Sequence, residues 1–371
     1  NQDANYQETG IEWERPCHFE MFDSDGELLV AQDLGVRIHG GVTRSRPRKS
    51  LRLYARSEYG DNELDFPLWG NRAPDTAKRF LLRNAGNDSY RTLFRDAMMQ
   101  RLVEDTSVAT QADRPVIVFI NGEYWGIHTL RERYDKHFLE RTYGVDPEAI
   151  DYLSNEIEVE EGDAQHYIDT LDFIDAEDLN DPTNWAWVNG RINVENYITY
   201  VAAQVYFRND DWPQNNIDYW RPQTPDGRWE WLMYDPDVGF GRRGGASAYL
   251  DDSLQRIAVD LSGWSTRLFQ GLLQSDAFVE AFITRYADLM NTNFEAQRVL
   301  GIINEMAEAM EDDIPEHVLR WTYPIDQNDW EDRVDIARGF AVDRPAAARS
   351  HVVTLFALAG TADVTLQNPS D

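Results

Sequence analysis

The feature that most restricts this chain is a pair of polar runs about twenty residues apart. The first is Asn209-Asp210-Asp211-Trp212-Pro213-Gln214-Asn215-Asn216. The second is Asp235-Pro236-Asp237-Val238-Gly239-Phe240-Gly241. An Asp is followed five residues on by an Asn, then by a strand, then by a second Asp shortly before Phe-Gly. Phosphoryl transfer uses parts in this order: one Asp orients the attacking hydroxyl, and an Asn with a second Asp holds the metal that bridges nucleotide phosphates. Either run alone reads as a polar turn. Together they require a fold that brings two loops, separated by a hairpin, to one place.

Within the first run Asp211 is the candidate catalytic residue, accepting or orienting a hydroxyl proton. Asp210 is its rival, but Trp212-Pro213 fixes the backbone just beyond Asp211. Asn215 or Asn216 reaches the metal, Asn216 having the five-residue offset. Asp235 and Asp237 end a hydrophobic strand, where alternate side chains share a face. They read as oxygen ligands for Mg²⁺ or Mn²⁺. The plain alternatives are a loop cap, an Asn-rich turn and a polar strand end.

Residues 37–56 hold seven basic side chains (Arg37, Arg44, Arg46, Arg48, Lys49, Arg52, Arg56) and no acid. On a chain of net charge -31 this local inversion suits an anion such as a triphosphate. Period-two alternation puts Lys49 on the face of Leu51, Leu53 and Ala55. An unpaired buried ammonium is costly, and a phosphate would be its partner. Gly40-Gly41 would let backbone amides approach phosphates, or form a plain turn. Asp96 is the candidate helix acid to pair with Lys49. Glu132 follows the last strand of the β-rich part, where a two-lobed kinase crosses between lobes and meets the adenine; a surface ion pair is the other reading. The nucleotide-side candidates are therefore Arg37, Gly40, Gly41, Lys49 and Glu132.

Composition narrows the classes. With 66 acidic against 35 basic residues, only three of them Lys, a nucleic acid would be repelled. The acidity suits a solvated surface in high salt. The longest apolar runs, such as Pro115 to Ile120, are too short to span a bilayer. The single Cys17 excludes an internal disulfide. The polar opening Asn1-Gln2-Asp3-Ala4-Asn5 fits a leader removed before residue 1. Asp23-Ser24-Asp25-Gly26-Glu27 lacks the closing Glu of a calcium loop and reads as a hairpin turn. The seven His show no metal spacing, and Walker A, Rossmann and Gly-x-Ser-x-Gly motifs are missing.

The periodicities predict strands at Gly35–His39, Lys49–Ala55 and Arg79–Arg83. A helix follows over Ser89–Glu104, capped by Asn87 or Asp88, with Tyr90, Phe94, Met98 and Leu102 as its stripe. Val116–Ile120 and Tyr124–Leu130 form a hairpin about Asn121-Gly122. Asn155 to Asp181 is acidic and weakly periodic, predicting one short helix and surface loop. Val194–Arg208 is a helix that delivers the chain to Asp211. Ile217–Arg221 and Trp229–Tyr234 pair across Pro225-Asp226-Gly227. Ser265–Ala309 is helical, Pro345–Leu358 is the last helix, and Thr361–Leu366 is a terminal strand or linker. The class is α+β: a β-rich first lobe over 12–135, a mostly helical second lobe over 136–360, and 361–371 as a tail.

The chain resembles the spore-coat CotH kinase-like family. The matching stretches are Arg37-Ile38-His39-Gly40-Gly41, Pro47-Arg48-Lys49-Ser50-Leu51, Leu82-Arg83-Asn84 with Asn87-Asp88, Asn121 to Gly126, Leu130-Arg131-Glu132, Asn209 to Asn216 and Asp235 to Gly241. The resemblance implies an atypical protein-kinase-like two-lobed fold, ATP with Mg²⁺ or Mn²⁺, and transfer of the γ-phosphoryl group to Ser or Thr of secreted or coat proteins. Lys49 would hold phosphates, Asp211 would be the catalytic Asp, and Asn216 with Asp235 or Asp237 would hold metal. It also implies an extracellular or cell-surface setting, with a protein acceptor as partner. Arg48, where a second Lys is common, and Val42-Thr43, where a polar pair is frequent, are departures. A catalytically silent binding or adhesion module, and a kinase acting on carbohydrate that would use the twelve Trp for stacking, are the alternatives.

Overall fold

The computed structural model describes residues 4–362. Its first half is built by alternation. β1 (Arg15–Phe22) and β2 (Leu28–His39) form a hairpin. Asp23 makes the turn, its Oδ1 accepting from the N–H of Asp25 at 3.0 Å and of Glu27 at 2.9 Å. β3 (Ser50–Tyr54), the short pair β4 (Leu64–Asp65) and β5 (Thr76–Ala77), and β6 (Arg79–Arg83) come next. α1 (Arg95–Arg101) follows, then β7 (Asp113–Ile120) and β8 (Glu123–Glu132). Six strands form one antiparallel sheet in the order β1-β2-β3-β6-β8-β7. Asn121 (φ 52°) and Gly122 (φ 81°) take the left-handed conformations that a tight β7–β8 turn requires.

The register sorts the sheet into two faces. Leu34, Leu53, Phe80, Leu82 and Leu130 pack with Leu64, Leu68 and Trp69 on one side. Arg52 is paired with Leu81 and Leu81 with Arg131, so these residues and Arg83 share the other side. That side faces the second lobe. α1 begins at Arg95 rather than at Ser89, because the buried Asp88 carboxylate caps it across a loop. Asp88 accepts from Thr92 and from the N–H of Arg95 at 3.2 Å, while Leu93 takes a φ of 74°.

The second lobe opens with α2 (Lys136–Tyr143), whose N-terminal N–H groups donate to the Asp135 carboxylate. β9 (Ile150–Ser154) and β10 (Glu158–Glu161) pair, and α3 (Gln165–Ala176) and α4 (Pro182–Asn189) follow. The Asn155–Asp181 stretch is thus more regular than its composition suggests. Glu158, Glu160 and Glu161 sit on the exposed edge strand β10, which charge keeps from pairing further, so no burial pattern marks it. α5 (Val194–Phe207) is capped by Asn193 and almost wholly buried. β11 (Asp218–Pro222) and β12 (Glu230–Leu232) complete a four-stranded sheet in the order β10-β9-β11-β12.

The rest is helical: the turn α6 (Ser253–Gln255), then α7 (Trp264–Leu272), α8 (Asp276–Asn291), α9 (Ala296–Glu311), α10 (Ile314–Trp321) and α11 (Gln327–Leu355). The last helix begins at Gln327, and Pro345 lies inside it instead of starting it. Trp330, Val334, Ala337, Phe340, Ala341, Ala348 and Val352 make one buried stripe across the proline, and that burial outweighs one lost backbone bond. Residues 363–371, where most of the expected terminal strand or linker falls, lie outside the described residues. The fold is α+β and two-lobed. Among the described residues no helix is long and apolar enough to cross a membrane.

Candidate active site

A cavity of about 310 Å³ lies between the lobes. His39, Arg52 and Leu81 line it from the first sheet, Arg133 to Lys136 from the crossing segment, and Tyr152, Asn216, Asp218 and Tyr234 from the second lobe. A second chamber of about 470 Å³, lined by Trp13, Val36, Arg37, Ile38, Gly40 and Gly41, shares His39, Arg52 and Tyr234 with the first. The two form one cleft folded around Arg52, of a size that suits a small ligand.

The Asp211 loop stands at this cleft because α5 ends just before it. Arg208 turns the chain with a φ of 53°, and Arg256 fastens the loop through the carbonyls of Asn209 at 3.2 Å and Trp212 at 2.6 Å. Arg208 also takes Asp210 into an ion pair, which separates the two rival carboxylates. Asp211 instead accepts from the amides of Asn215 at 3.3 Å and Asn216 at 3.1 Å, both through Oδ2. The Asn216 amide nitrogen is also 3.4 Å from the Asp235 carbonyl. Asp211, Asn216 and Asp235 are therefore joined by direct bonds, with Asn216 (φ 59°) and Asp235 (φ 47°) both in left-handed conformations.

Asp235 and Asp237 differ in what they hold. Asp237 is fully buried and accepts from the N–H of Asn87 at 2.6 Å and its side-chain amide at 3.1 Å. Arg83 bonds Asp235, and reaches Asp237 at 3.2 Å and Asp96 at 3.3 Å. Burial and then the Asp235 charge push Asp237 well above the usual carboxylate range. Burial also raises Asp235, against the pull of Arg83. Burial works against charge on Arg83 too, but Asp235, Asp96 and Asp237 outweigh it and raise its pKa.

Arg83 is the residue that sequence reasoning missed. In protein kinases an acid on the first lobe's helix pairs with a Lys on the strand before it. Here Arg83 ends the strand before α1, and Asp96 lies on α1. The available signal was position: a cation closing the strand that feeds the Asp96 helix.

Lys49 is placed outside this cluster. Its ammonium donates to the Arg44 carbonyl at 2.6 Å and lies 3.9 Å from the Tyr6 ring centroid. The Leu51 and Leu53 face to which it belongs turns to the first lobe's core. Most of the basic run is similarly engaged within the protein. Arg37 and Arg56 share the buried Glu14, and Arg44, Arg46 and Arg48 bond backbone carbonyls, those of Tyr6, Gly86 and Asn84 outside the strands and those of Ile38 and Ile127 within β2 and β8. Arg37, Gly40 and Gly41 do line the second chamber. Glu132 is buried behind the crossing segment, where it accepts from the Ala112 N–H at 2.8 Å and pairs with Arg141. Burial raises its pKa.

Arg52 is different. It has no carboxylate partner among the described residues. It donates to His39 Nδ1 at 2.8 Å, and its Nε is buried without a hydrogen bond. Burial, then Arg133, lowers its pKa, and burial with Arg52 lowers that of His39, leaving a neutral acceptor imidazole. An orphaned guanidinium N–H in a cleft wall is a site for an anion.

Among the described residues no three His, Cys, Asp or Glu side chains converge to cage a metal. The donor set fits a hard cation that takes few protein ligands and completes its shell with phosphate oxygens and water. Asn216 uses its amide nitrogen for Asp211 and the Asp235 carbonyl, so its Oδ1 is uncommitted. Asp235 bonds Arg83 through Oδ1 alone, whereas Asp237 has both oxygens engaged.

A family model described as CotH kinase protein matches residues 36–348, which spans most of both lobes and every residue of this cluster. No curated protein matches the chain.

Proposed function

The chain belongs to the CotH kinase family, and from that premise we propose that it is an ATP- and divalent-metal-dependent phosphotransferase acting on Ser or Thr of a secreted or surface protein. The observation that carries this reading is the bonded set Asp211, Asn216 and Asp235 across the cleft from Arg52, which holds no carboxylate among the described residues. Asp211 keeps Oδ1 free while two amides fix Oδ2, so it is oriented to take the proton of an acceptor hydroxyl. The acceptor oxygen bonds to the γ-phosphorus, the bond to the β-phosphate oxygen breaks, and ADP leaves. Asn216 Oδ1 and Asp235 would hold Mg²⁺ or Mn²⁺, which supplies charge neutralisation on the phosphates. Arg52 and Arg83 take over the phosphate-binding role expected of Lys49, as fixed cations in a partly desolvated cleft. Asp237 serves from behind, bonding Asn87 and Arg83.

A second reading, a kinase-like binding module, draws on one observation: Arg83 already neutralises Asp235 and Asp237. Transfer of γ-labelled phosphate from ATP to the protein itself and to Ser-rich substrates, with Mg²⁺ and with Mn²⁺, separates the two. We expect label with the wild type. Asp211→Ala should lower transfer by about 10²- to 10⁴-fold, the usual worth of a general base, with nucleotide affinity retained. A folded wild type that binds nucleotide but transfers no label under any of these conditions would establish the binding module instead.

A further inference from the structure

Next to the cluster is a pocket of the opposite electrostatic sign. Arg91, Arg95, Arg242, Arg243 and Arg333 line a cavity of about 330 Å³ together with Gly241, Gly244, Gly245 and Ile336. No acid lines it, although the chain has 66 acidic residues against 35 basic ones. Five guanidinium groups on so acidic a protein would repel one another unless something offset them. Among the described residues only two of the five hold a carboxylate: Arg95 pairs with Asp88 at 3.1 Å and Arg333 with Asp329 at 2.9 Å. Arg242 is spent on a carbonyl, its Nε and Nη2 both 3.0 Å from Asn87 O. Arg91 and Arg243 make no ion pair among the described residues. Burial, then Arg333 and Arg242, depress the pKa of Arg91, as expected for a cation held among cations.

The pocket is built rather than incidental. Arg95 is almost wholly buried and tied to both Asp88 and the Phe240 carbonyl. Gly241, Gly244 and Gly245 take left-handed conformations, so the segment after Asp237 wraps round the rim with its backbone exposed to a ligand. The pocket touches the site directly. Arg242 bonds the carbonyl of Asn87, the residue whose two N–H groups hold Asp237.

We propose that this arginine pocket docks an anionic side chain of the acceptor polypeptide, a phosphoserine above all, lying close to the hydroxyl that receives phosphate. Planar guanidinium groups match a phosphate monoester with paired bonds, and clusters of arginines are the usual device for reading phosphorylated or acidic motifs. A dianionic phosphate gains more than a carboxylate from the same cluster. The acceptor in this proposal rests on the phosphotransfer reading; the pocket's preference for a phosphorylated peptide does not. If both hold, one phosphorylation creates the docking group for the next, and clustered Ser residues would be modified in succession.

The test is fluorescence anisotropy with one labelled Ser-containing peptide in three forms, carrying a flanking Gln, Glu or phosphoserine, and no ATP. The full chain should bind the phosphoserine form at least about tenfold more tightly than the Gln form, with Glu between. The paired change Arg91→Gln and Arg243→Gln removes only side chains without ion pairs. It should erase the preference and leave the thermal unfolding midpoint unchanged. Equal binding of all three peptides overturns the proposal, as does a preference that survives the double variant. Inorganic phosphate that displaces the phosphopeptide at equal concentration would assign the pocket to a free anion and overturn the peptide assignment. Asp211→Ala should bind the phosphopeptide like the wild type. A preference seen in a protein that transfers no phosphate would sink the kinase reading while sparing the pocket.

Discussion

Arg52 and Arg83 lie on neighbouring strands and share the sheet face that meets the second lobe, but their electrostatic situations are opposite. Arg83 is the counter-charge of three carboxylates; Arg52 is a desolvated cation with a neutral imidazole as its main partner. Removing them should therefore have different consequences. Arg83→Met leaves Asp96, Asp235 and Asp237 without their shared cation and should cost about 3–5 kcal/mol, as breaking a buried pair does. Arg83→Lys should recover part of that loss but not the transfer rate, because a point charge cannot reach three carboxylates as a fork can. Arg52→Met removes a charge that burial already disfavours, so stability should hold or rise while nucleotide affinity falls about tenfold or more. Urea unfolding beside nucleotide titration reads both effects. A stability loss for Arg52→Met as large as that for Arg83→Met would make Arg52 structural and leave the phosphates without this contact.

The helix α11 supports the site from a distance. Arg344, one residue before Pro345, is buried and donates to the carbonyls of Val205 at 2.7 Å, Tyr206 at 3.0 Å, Tyr249 at 2.7 Å and Asp251 at 2.8 Å. The first two belong to the last turn of α5, where the Val205 carbonyl is shared with the Arg208 N–H at 3.2 Å and the Tyr206 carbonyl lacks a partner within the helix. Arg344 thus ties the end of α5 to α11, and α5 aims the Asp211 loop. Arg344→Leu should destabilise the fold by about 3 kcal/mol, since it leaves buried carbonyls unpaired, and should lower the transfer rate without a matching loss of nucleotide affinity. Unchanged unfolding in urea would show that α5 needs no such tie. This tie was not legible in the sequence, where Pro345 looked like a helix start and nothing marked Arg344. Local signals were legible: Asn121-Gly122 for its hairpin, Asn193 and the apolar run for α5, the order of the Asp211 and Asp235 loops. What failed depended on which face of a strand meets the second lobe. Alternation correctly set Lys49 with Leu51 and Leu53, but only the packing of both lobes reveals that Arg52 and Arg83 are on the cleft side.

At the scale of the whole molecule, a net charge of -31 sets a problem for the proposed substrates, because ATP and a phosphorylated peptide are both anions. At long range the protein repels them; at short range they meet guanidinium groups set into the cleft and the arginine pocket. Salt acts unequally on these two terms. The Debye length falls from about 10 Å at 0.1 M to about 3 Å at 1 M, which removes repulsion from the distant surface but screens buried contacts much less. Raising NaCl from low to molar concentration should therefore lower the KM for ATP several-fold before contact screening reverses the trend, where most anion-binding sites show a steady rise. The same screening should raise the unfolding midpoint, through relief of carboxylate repulsion on the surface. Sodium chloride and sodium sulfate compared at equal ionic strength distinguish the cause: a screening effect follows ionic strength and levels off near 1 M, whereas salt exclusion favours sulfate and keeps rising. A KM that climbs steadily with NaCl would mean that direct contacts at Arg52 and Arg83 are themselves solvent-screened, and the cleft too open to bind a nucleotide in the way proposed.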